Sequence, residues 1–251
     1  MLTRTGAVIS FLGLGLATAA CSSSNGDHGD ADAGTSQVDV DAGHDVDAAH
    51  AAAHGPILFV HGINGDADGF ASIKARFVAD GWSADELFAY TFDDPSWGCN
   101  VDNASDVGAW VDQILAATGA SKVDIVAHSM GTLSSRYFIK DLGGTAKVAH
   151  YVTLGGMHHG LSSSCAAMFP GAPCVWTELC ESGDFIGELN ADPATPGELF
   201  WVSIFGTADT SVPNDSSRLT GAENIEMPDV DHEGLLEDVA TYEQIKRVLA
   251  Y

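Results

Sequence analysis

The stretch KVDIVAHSMGTLSS, residues 122–135, decides the fold of this chain. Its first half is rich in β-branched residues and predicts a strand, and its second half begins a helical run that reaches Lys140. A strand, a tight turn with a central serine and a helix are the context of a nucleophile elbow, which presents a serine hydroxyl at the end of a parallel sheet. The usual pattern is Gly-x-Ser-x-Gly, and Ala127 stands here for the first glycine. Ser129 is therefore the candidate nucleophile.

The residues AHSMG are also compatible with an ordinary strand-to-helix turn that buries its serine. Other parts of the chain are therefore needed to distinguish a nucleophile elbow from such a turn. Five further apolar segments predict strands, and helical spacing occurs between and after them. This alternation predicts an α/β domain with a mostly parallel central sheet and helices on both of its faces. The predicted strands are residues 57–60, 87–90, 148–154, 199–205 and 224–227. The predicted helices are residues 70–79, a segment from Val107 to near Gly119 and a closing helix that ends near Leu249, and residues 92–102 predict a loop.

Two more polar residues follow predicted strands and complete a catalytic pattern with Ser129. Asp209 comes after the strand 199–205, and His232 comes after the strand 224–227. A serine, an acid and a histidine in this chain order are the arrangement of α/β-hydrolases. We therefore predict that Ser129 is the nucleophile, His232 the base and Asp209 the acid that orients the base. The rival acids are Asp215, Asp229 and Asp231.

A His-Gly pair directly after the first predicted strand, His61-Gly62, predicts half of an oxyanion hole. In this architecture one backbone N–H comes from the loop after that strand, and another comes from the residue after the nucleophile. The predicted donors are therefore the N–H groups of Ile63 and Met130, which stabilise negative charge on a carbonyl oxygen. Taken alone, the His-Gly pair is also compatible with a simple turn.

Residues 157–198 interrupt the alternation of strands and helices with three cysteines, four prolines and several glycines. We predict an excursion on the active-site side of the sheet, because loops after the carboxyl ends of strands line the site in open α/β sheets. Most of its large apolar side chains are expected to pack beneath it, and an acyl-binding wall is the alternative. Its two histidines, His158 and His159, are not predicted to be the catalytic base.

The first residues are typical of an export signal. Arg4 precedes an apolar core, residues 7–16, that is too short to span a bilayer stably. We predict a signal peptide over residues 1–20, of the lipoprotein type with Cys21 as the lipidation candidate, and ordinary cleavage after Ala19 is the alternative. The protein is thus expected to be exported, either as a lipoprotein of the outer membrane or cell surface or as a secreted protein.

Export makes the four remaining cysteines disulfide candidates, because oxidising compartments preserve disulfides. Four cysteines allow three pairings, and the sequence alone does not choose among them. Free thiols and a zinc site are the less favoured alternatives, since the spacing lacks a CxxC-type pair. The disulfide candidates are Cys99, Cys165, Cys174 and Cys180.

Composition divides the 251 residues into three segments and excludes some partners. Residues 21–54 contain seven of the 35 acidic residues and almost no large apolar side chains, which predicts a disordered acidic tether whose histidines are solvated. Residues 55–251 are predicted to be the catalytic domain. The formal net charge of −25 argues against nucleic acid and against electrostatic binding to anionic lipid. We expect no cofactor and no metal ion, and we expect a monomer.

The domain resembles the bacterial class 2 triacylglycerol lipases of the α/β-hydrolase superfamily, a family that includes compact Bacillus lipases. The resemblance covers roughly residues 56–250 apart from the excursion, and seven motifs occur in the same order. These motifs are PILFVHGI (56–63), GWSADELFA (81–89), TGASKVDIVAHSMG (118–131), KVAHYVTLGG (147–156), SIFGTAD (203–209), SRLTGAENI (217–225) and HEGLL (232–236).

The resemblance implies a compact α/β-hydrolase fold and a carboxylic ester hydrolase that acts on acylglycerols through an acyl-enzyme. It also implies the same catalytic triad and the same two oxyanion-hole donors that the residues predict. The chain departs from the family pattern in two places, and both concern the substrate range. Thr132 replaces the second glycine after the elbow Ser-Met, and the Cys-rich excursion is absent from the shortest members. Hydrolysis of a polyester or of a non-lipid ester, or acyl transfer, is an alternative on the same triad, and a non-catalytic surface lipoprotein that binds lipid is another.

Overall fold

The apolar runs of the chain form one six-stranded parallel sheet in the computed structural model, which describes residues 54–250. Its strands are β1 (Ile57–Val60), β2 (Leu87–Tyr90), β3 (Val123–His128), β4 (Val148–Leu154), β5 (Phe200–Gly206) and β6 (Glu223–Met227). They lie in the order β2-β1-β3-β4-β5-β6, and every neighbouring pair is parallel. Strand order reverses between β1 and β3, and such switch points are where ligand crevices form in open α/β sheets.

Seven α-helices and several short 3₁₀ turns connect these strands within residues 54–250. The helices are α1 (Ala71–Ala79), α2 (Asn100–Thr118), α3 (Gly131–Asp141), α4 (Cys174–Leu179), α5 (Asp184–Asn190), α6 (Asn214–Ser217) and α7 (Val239–Leu249). The 3₁₀ turns are Ala67–Phe70, Ala84–Glu86, Gly144–Ala146, Ser162–Ala167 and Gly234–Leu236.

Helices cover both faces of the sheet, and the alternation of side chains along each strand divides the core into two layers. On β1, Ile57 and Phe59 belong to the layer that contains residues of α1 and α7. Leu58 and Val60 point to the opposite side and belong to the layer that contains residues of α2 and α3. All four residues are fully buried, as a continuous apolar run predicts. The predicted α/β-hydrolase architecture is therefore confirmed.

Helix α2 begins at Asn100, so the predicted loop over residues 92–102 is too long by three residues. Regular apolar spacing starts only at Val107, because Asn100, Asp102 and Asn103 make the first turn mostly polar. The backbone N–H of Asn100 donates to the carboxylate of Glu178 on α4, and the Asn100 side chain accepts from Ser134 on α3. Partners that are remote in sequence thus stabilise a helix start that local periodicity does not reveal.

The excursion has its own helices and its own apolar cluster. Helices α4 and α5 lie within it, and a 3₁₀ turn precedes them. Val175, Leu179, Ile186 and Leu189 of these helices pack with Met130 and Leu133, which lie at the start of α3. Its predicted apolar packing is therefore confirmed for these residues, and the cluster joins the excursion to the elbow region.

All four predicted disulfide candidates are paired. Cys99 bonds to Cys174 and ties the start of α2 to the start of α4, across 75 residues of sequence. Cys165 bonds to Cys180 and closes a loop within the excursion, across 15 residues. Of the three pairings that the sequence left open, the structure thus selects one.

Two cations of α3 also hold the excursion. Arg136 is fully buried, and its Nη2 donates to the carbonyls of Leu189 and Ala194 at 2.8 and 3.0 Å. Lys140 Nζ donates to the carbonyls of Leu189 and Ala191 at 3.1 and 2.6 Å. These bonds satisfy carbonyls at the C-terminus of α5, which favours positive charge. The helix that follows the candidate nucleophile therefore also supports the excursion.

We predict that the Cys99–Cys174 disulfide contributes more to stability than the Cys165–Cys180 disulfide. Loop-closure entropy gives about 4 kcal/mol for the longer loop and about 3 kcal/mol for the shorter one. The double variant Cys99→Ser/Cys174→Ser should lower the thermal midpoint by about 10 °C, and Cys165→Ser/Cys180→Ser should lower it by less. Thermal unfolding followed by circular dichroism measures both. Equal midpoints for the wild type and the first variant would contradict the prediction.

Candidate active site

Ser129 occupies the sharp turn between β3 and α3 with a left-handed backbone, at a φ of 55°. A residue other than glycine is strained in this region, and such strain is typical of a nucleophile elbow. The turn lies against the loop after β1. A Cβ on Gly62 would lie 2.6 Å from the Cβ of Ser129, and one on Gly131 would lie 2.2 Å from the carbonyl oxygen of His61. Only glycine fits at these two contacts.

The structure brings together the three residues that the sequence predicts as a triad. His232 Nε2 lies 2.9 Å from Ser129 Oγ, and His232 Nδ1 lies 2.7 Å from Asp209 Oδ2. Because an ionised carboxylate can only accept, Nδ1 carries the proton and Nε2 is free to accept from the serine hydroxyl. The Ser129 hydroxyl is thus hydrogen-bonded to a base that is itself oriented by an acid, which is the arrangement of an activated serine.

Asp209 is held in place from both of its oxygens. Oδ1 accepts the backbone N–H groups of Ser211 and Val212 at 2.8 and 2.9 Å, while Oδ2 faces His232. Burial alone would raise the pKa of Asp209, but the hydrogen bonds from His232 and from the two backbone groups outweigh burial and lower this pKa. The carboxylate therefore stays ionised opposite the imidazole.

The rival acids do not contact the His232 ring. Asp231 Oδ1 instead accepts the backbone N–H of Gly234 at 2.7 Å and stabilises the turn after the histidine. Asp215 lies in the first turn of α6, and Asp229 lies on the loop after β6, where its N–H donates to Thr207. The preference for Asp209 thus agrees with the geometry.

His128, next to the candidate nucleophile, supports the base. Its Nε2 lies 3.1 Å from the carbonyl oxygen of His232, and the two ring centroids are 4.6 Å apart. Since a carbonyl can only accept, His128 carries its proton on Nε2. Burial, and then the proximity of His232, lower the pKa of His128 to about 4, so the ring is neutral near pH 7. Neither the spacing of His128 nor its neighbours in the sequence indicate this contact, so its role is visible only in the structure.

Two further residues that shape the site were also missed. Gly155 directly follows β4 and has a φ of 56°, and a Cβ there would lie 2.9 Å from His232 Nδ1, so this glycine makes room for His232. Thr132, the departure from the family pattern, donates from Oγ1 to the Ser129 carbonyl at 2.6 Å and accepts from the Met157 N–H at 3.2 Å. Thr132 therefore joins the elbow to the first residue of the excursion.

The two predicted oxyanion-hole donors lie on either side of the elbow. Ile63 lies on the loop after β1, and Met130 directly follows Ser129 at the start of α3. Within residues 54–250, neither N–H is hydrogen-bonded to a protein group. Two unpartnered backbone donors next to a nucleophile can bind the oxygen of an ester carbonyl as it becomes negative.

His61 fixes the loop that carries Ile63. Its Nδ1 donates to the Gly62 carbonyl at 2.7 Å, and its Nε2 accepts the Phe92 N–H at 3.1 Å. Burial lowers the pKa of His61, against the opposing effects of the Gly62 carbonyl and of Asp66, and this favours the neutral ring that both bonds require. The loop is thereby bound to the segment after β2.

A cleft of about 520 Å³ opens over Ser129 and His232. Its volume lies in the range of ligand sites of enzymes. Part of the wall is apolar, with Ile63, Met157 and Leu236, and the exposed acids Asp66 and Glu233 are also in the lining. The lining thus combines an apolar surface with acidic side chains and contains no lysine or arginine.

Residues 54–250 contain no group of three or more His, Cys, Asp or Glu side chains placed to hold a metal ion. In the same part of the chain no helix has the length and hydropathy needed to cross a membrane. The predicted signal peptide, the candidate lipidation site Cys21 and all but the last residue of the predicted tether lie outside the described residues.

The fold and the site together define an α/β-hydrolase with a Ser-His-Asp arrangement. The family described as Lipase (class 2) matches residues 54–250, and the chain belongs to that family. Triacylglycerol lipases of Pseudarthrobacter phenanthrenivorans and Burkholderia plantarii are each 36% identical over 184 residues, which is 66% of this chain. The alignment spans 48% and 42% of those two proteins, so the chain covers about half of their length.

The solved structure of the mature lipase BlEst2 from Bacillus licheniformis has the same fold. Its TM-score is 0.65 at 19% identity, and the comparison covers 79% of this chain and 93% of that one. The predicted resemblance to class 2 lipases is thus confirmed by both sequence and fold.

We predict that His128 makes the protein sensitive to acid. Native His128 takes up a proton only near pH 4, whereas a histidine in the unfolded chain does so near pH 6.5. Between these values the unfolded state binds more protons, so stability is lost as the pH falls. Between pH 7 and pH 5, His128 should lower the free energy of unfolding by about 2 kcal/mol.

Urea unfolding of the wild type and of His128→Gln at both pH values measures this contribution. When the pH falls from 7 to 5, the free energy of unfolding of the variant should decrease by about 2 kcal/mol less than that of the wild type. Above pH 7 the two proteins should show the same pH dependence, which serves as the internal control. The same loss in both proteins between pH 7 and pH 5 would rule the contribution out.

Proposed function

We propose that this protein hydrolyses carboxylic esters through an acyl-enzyme, with Ser129 as nucleophile, His232 as general base and acid, and Asp209 as the orienting acid. One observation carries the proposal, namely the continuous hydrogen-bonded chain from Ser129 Oγ through His232 to Asp209. The protein's membership of the class 2 lipase family supports the same chemistry.

In the first half of the reaction, His232 Nε2 takes the proton of Ser129 as Oγ attacks the ester carbonyl carbon. The carbonyl oxygen becomes negative, and we propose that the N–H groups of Ile63 and Met130 bind it. Asp209 stabilises the imidazolium that forms. The tetrahedral intermediate then collapses, the ester C–O bond breaks, and His232 returns the proton to the departing alcohol.

In the second half, a water molecule replaces the alcohol. His232 removes a proton from this water, which attacks the acyl-enzyme, and the acid leaves as Ser129 regains its proton. The base must be neutral for either half, so activity is expected to fall in acid. No step needs a metal ion or a cofactor.

We propose acylglycerols as the substrate class. Two relatives are named triacylglycerol lipases, although this chain covers about half of their length. Ile63, Met157 and Leu236 offer an apolar surface beside the nucleophile for an acyl chain. We also propose that the protein is exported, as a lipoprotein anchored through Cys21 or in a secreted form. The two disulfides support export, because such bonds persist in oxidising compartments.

The triad is tested with single variants on p-nitrophenyl butyrate. Ser129→Ala and His232→Ala should each lower kcat by about 10⁴- to 10⁶-fold, since either change removes the activated nucleophile. Asp209→Asn should lower kcat by about 10³- to 10⁴-fold, because an amide no longer selects the required tautomer of His232.

Asp231→Asn is the matched control for Asp209→Asn. It removes the charge of an acid directly beside the base, and the asparagine oxygen can still accept the Gly234 N–H. Its rate should stay within a few-fold of the wild type. Hydrolysis by Ser129→Ala at the wild-type rate, in a protein with native circular dichroism, would refute the mechanism.

A chain-length series separates a lipase from an esterase of short acyl groups. We expect hydrolysis to persist from p-nitrophenyl butyrate to the octanoate and palmitate esters, because Ile63, Met157 and Leu236 offer an apolar surface for the acyl chain. The kcat/KM values should be compared below the aggregation limit of each ester, with Ser129→Ala as the blank. Hydrolysis confined to acetate and butyrate would contradict the choice of acylglycerols and leave ester hydrolysis intact.

A further inference from the structure

The direction of the Ile63 N–H is set by the carbonyl of the residue before it. Gly62 and Ile63 share one trans peptide group, in which the C=O and the N–H point in opposite directions. The Gly62 carbonyl accepts from His61 Nδ1 at 2.7 Å and from the Gly65 N–H at 3.1 Å. The Ile63 N–H therefore points away from both of these donors.

The turn that contains Ile63 is held to a neighbouring segment through Asn64. The bond from the Gly65 N–H closes a β-turn over residues 62–65, and Asn64, its third residue, has a φ of 57°. A positive φ at this position belongs to a type II turn, whereas a type I turn has a negative φ there and rotates the peptide group between the second and third residues by about half a turn. In the observed orientation the Asn64 N–H donates to the Pro95 carbonyl at 2.9 Å. The left-handed backbone of Asn64 therefore makes this bond possible.

The side chain of Asn64 binds the same neighbouring segment. Strands β1 and β2 pair in parallel with Val60 opposite Tyr90, so the segments that follow them leave the sheet side by side. The Ser96 hydroxyl donates to Asn64 Oδ1 at 2.8 Å. Asparagine also enters the left-handed region more easily than most residues, because its short polar side chain can bond locally. Backbone and side chain of one residue thus bind two consecutive residues of the segment after β2.

The segment after β2, residues 91–99, is itself held in place, and we refer to it as the strap. Asp94 Oδ1 accepts the Ser96 N–H at 3.2 Å, and the Asp94 carbonyl accepts another N–H of the strap at 3.2 Å. Cys99, the last residue of the strap, is bonded to Cys174 of the excursion. The strap therefore offers the β-turn partners whose positions are fixed.

We propose that Asn64 is a positioning residue, which holds the Ile63 N–H where it binds the negative oxygen of the tetrahedral intermediate. The inference rests on the proposed function, because it assumes that Ser129 attacks an ester carbonyl. It goes further by assigning the strap, and the Cys99–Cys174 disulfide that anchors it, a role in fixing one oxyanion-hole donor. Catalytic groups have to be held within about 0.5 Å of their productive geometry, so a turn that detaches from the strap loses rate.

Three variants test this role, with p-nitrophenyl butyrate as the substrate. Asn64→Ala removes Oδ1 and places a less favourable residue in the left-handed region, whereas Asn64→Gly removes Oδ1 and keeps that backbone. Ser96→Ala removes only the hydroxyl that donates to Oδ1. We expect kcat to fall at least about tenfold in Asn64→Ala and about two- to fivefold in the other two variants. KM should stay within about twofold, because the Ile63 N–H acts on charge that develops in the transition state.

A boronic acid supplies a readout that a simple loss of folding stability would not change. Butylboronic acid forms a tetrahedral adduct with a serine nucleophile, and one oxygen of the adduct takes the place of the negative ester oxygen. Its inhibition constant should rise in each variant by the factor by which kcat/KM falls, as expected of a transition-state analogue. The decrease of kcat in acid should occur at the same pH in all three variants, since His232 and Asp209 are not altered.

Ser83→Ala is the matched control for Ser96→Ala. Ser83 Oγ accepts the Asp85 N–H on an exposed turn before β2, at the opposite end of that strand from the strap. Its kcat and its boronate inhibition constant should equal those of the wild type. The double variant Asn64→Gly/Ser96→Ala should be no slower than the slower of its two single variants, because both changes break the same bond. Thermal midpoints check the folding of every variant.

Three results would overturn the positioning role. One is a wild-type kcat in Asn64→Ala, and another is an equal loss of kcat in Asn64→Ala and Asn64→Gly, since the left-handed backbone would then have no part. The third is a fall in kcat without a matching rise of the boronate inhibition constant, which would place the loss outside the oxyanion hole. A wild-type protein as inactive as Ser129→Ala would instead refute the proposed function, and the positioning role with it.

Discussion

The close contact between the loop after β1 and the turn after β3 is the constraint on which this structure depends. Gly62 lies against Ser129, and Gly131 lies against the carbonyl of His61, at distances that exclude any Cβ. Ser129 has a strained, left-handed backbone at this contact. The contact lies at the switch point of the sheet, where the chain leaves β1 and β3 toward helices on opposite faces and a crevice forms. Strain in one turn is thus balanced by packing on both sides of it.

Asp209 and His232, the candidate acid and base, reach this point from later segments of the chain. Asp209 leaves β5 and His232 follows β6, so the sheet has to be complete before the hydrogen bonds to Ser129 can form. Small residues make these approaches possible. Gly155 leaves room for His232, and a Cβ on Gly206 would lie 2.0 Å from the Val230 carbonyl oxygen. Around them, the neutral rings of His128 and His61 bind backbone groups of the site without adding charge beside the base.

Helix α3 links the site to the excursion. Its first residues carry the elbow, and Thr132 bonds to the first residue of the excursion. Farther along, Arg136 is buried without a carboxylate partner among the described residues and donates instead to carbonyls near the end of α5. Burial lowers the pKa of Arg136 to about 10, which leaves it charged near pH 7. A buried charge of this kind needs well-placed hydrogen-bond partners, and these bonds tie the excursion to α3.

The sequence by itself determined the six strands, the elbow, the family and the order of Ser129, Asp209 and His232, because hydrophobic periodicity and turn chemistry are local properties of the chain. Tertiary structure alone decided the disulfide pairing, the early start of α2 and the contacts of His128. Each of these depends on distances between segments that are far apart in sequence, such as the 75 residues between Cys99 and Cys174. No local pattern encodes such distances, and only the packed sheet sets them.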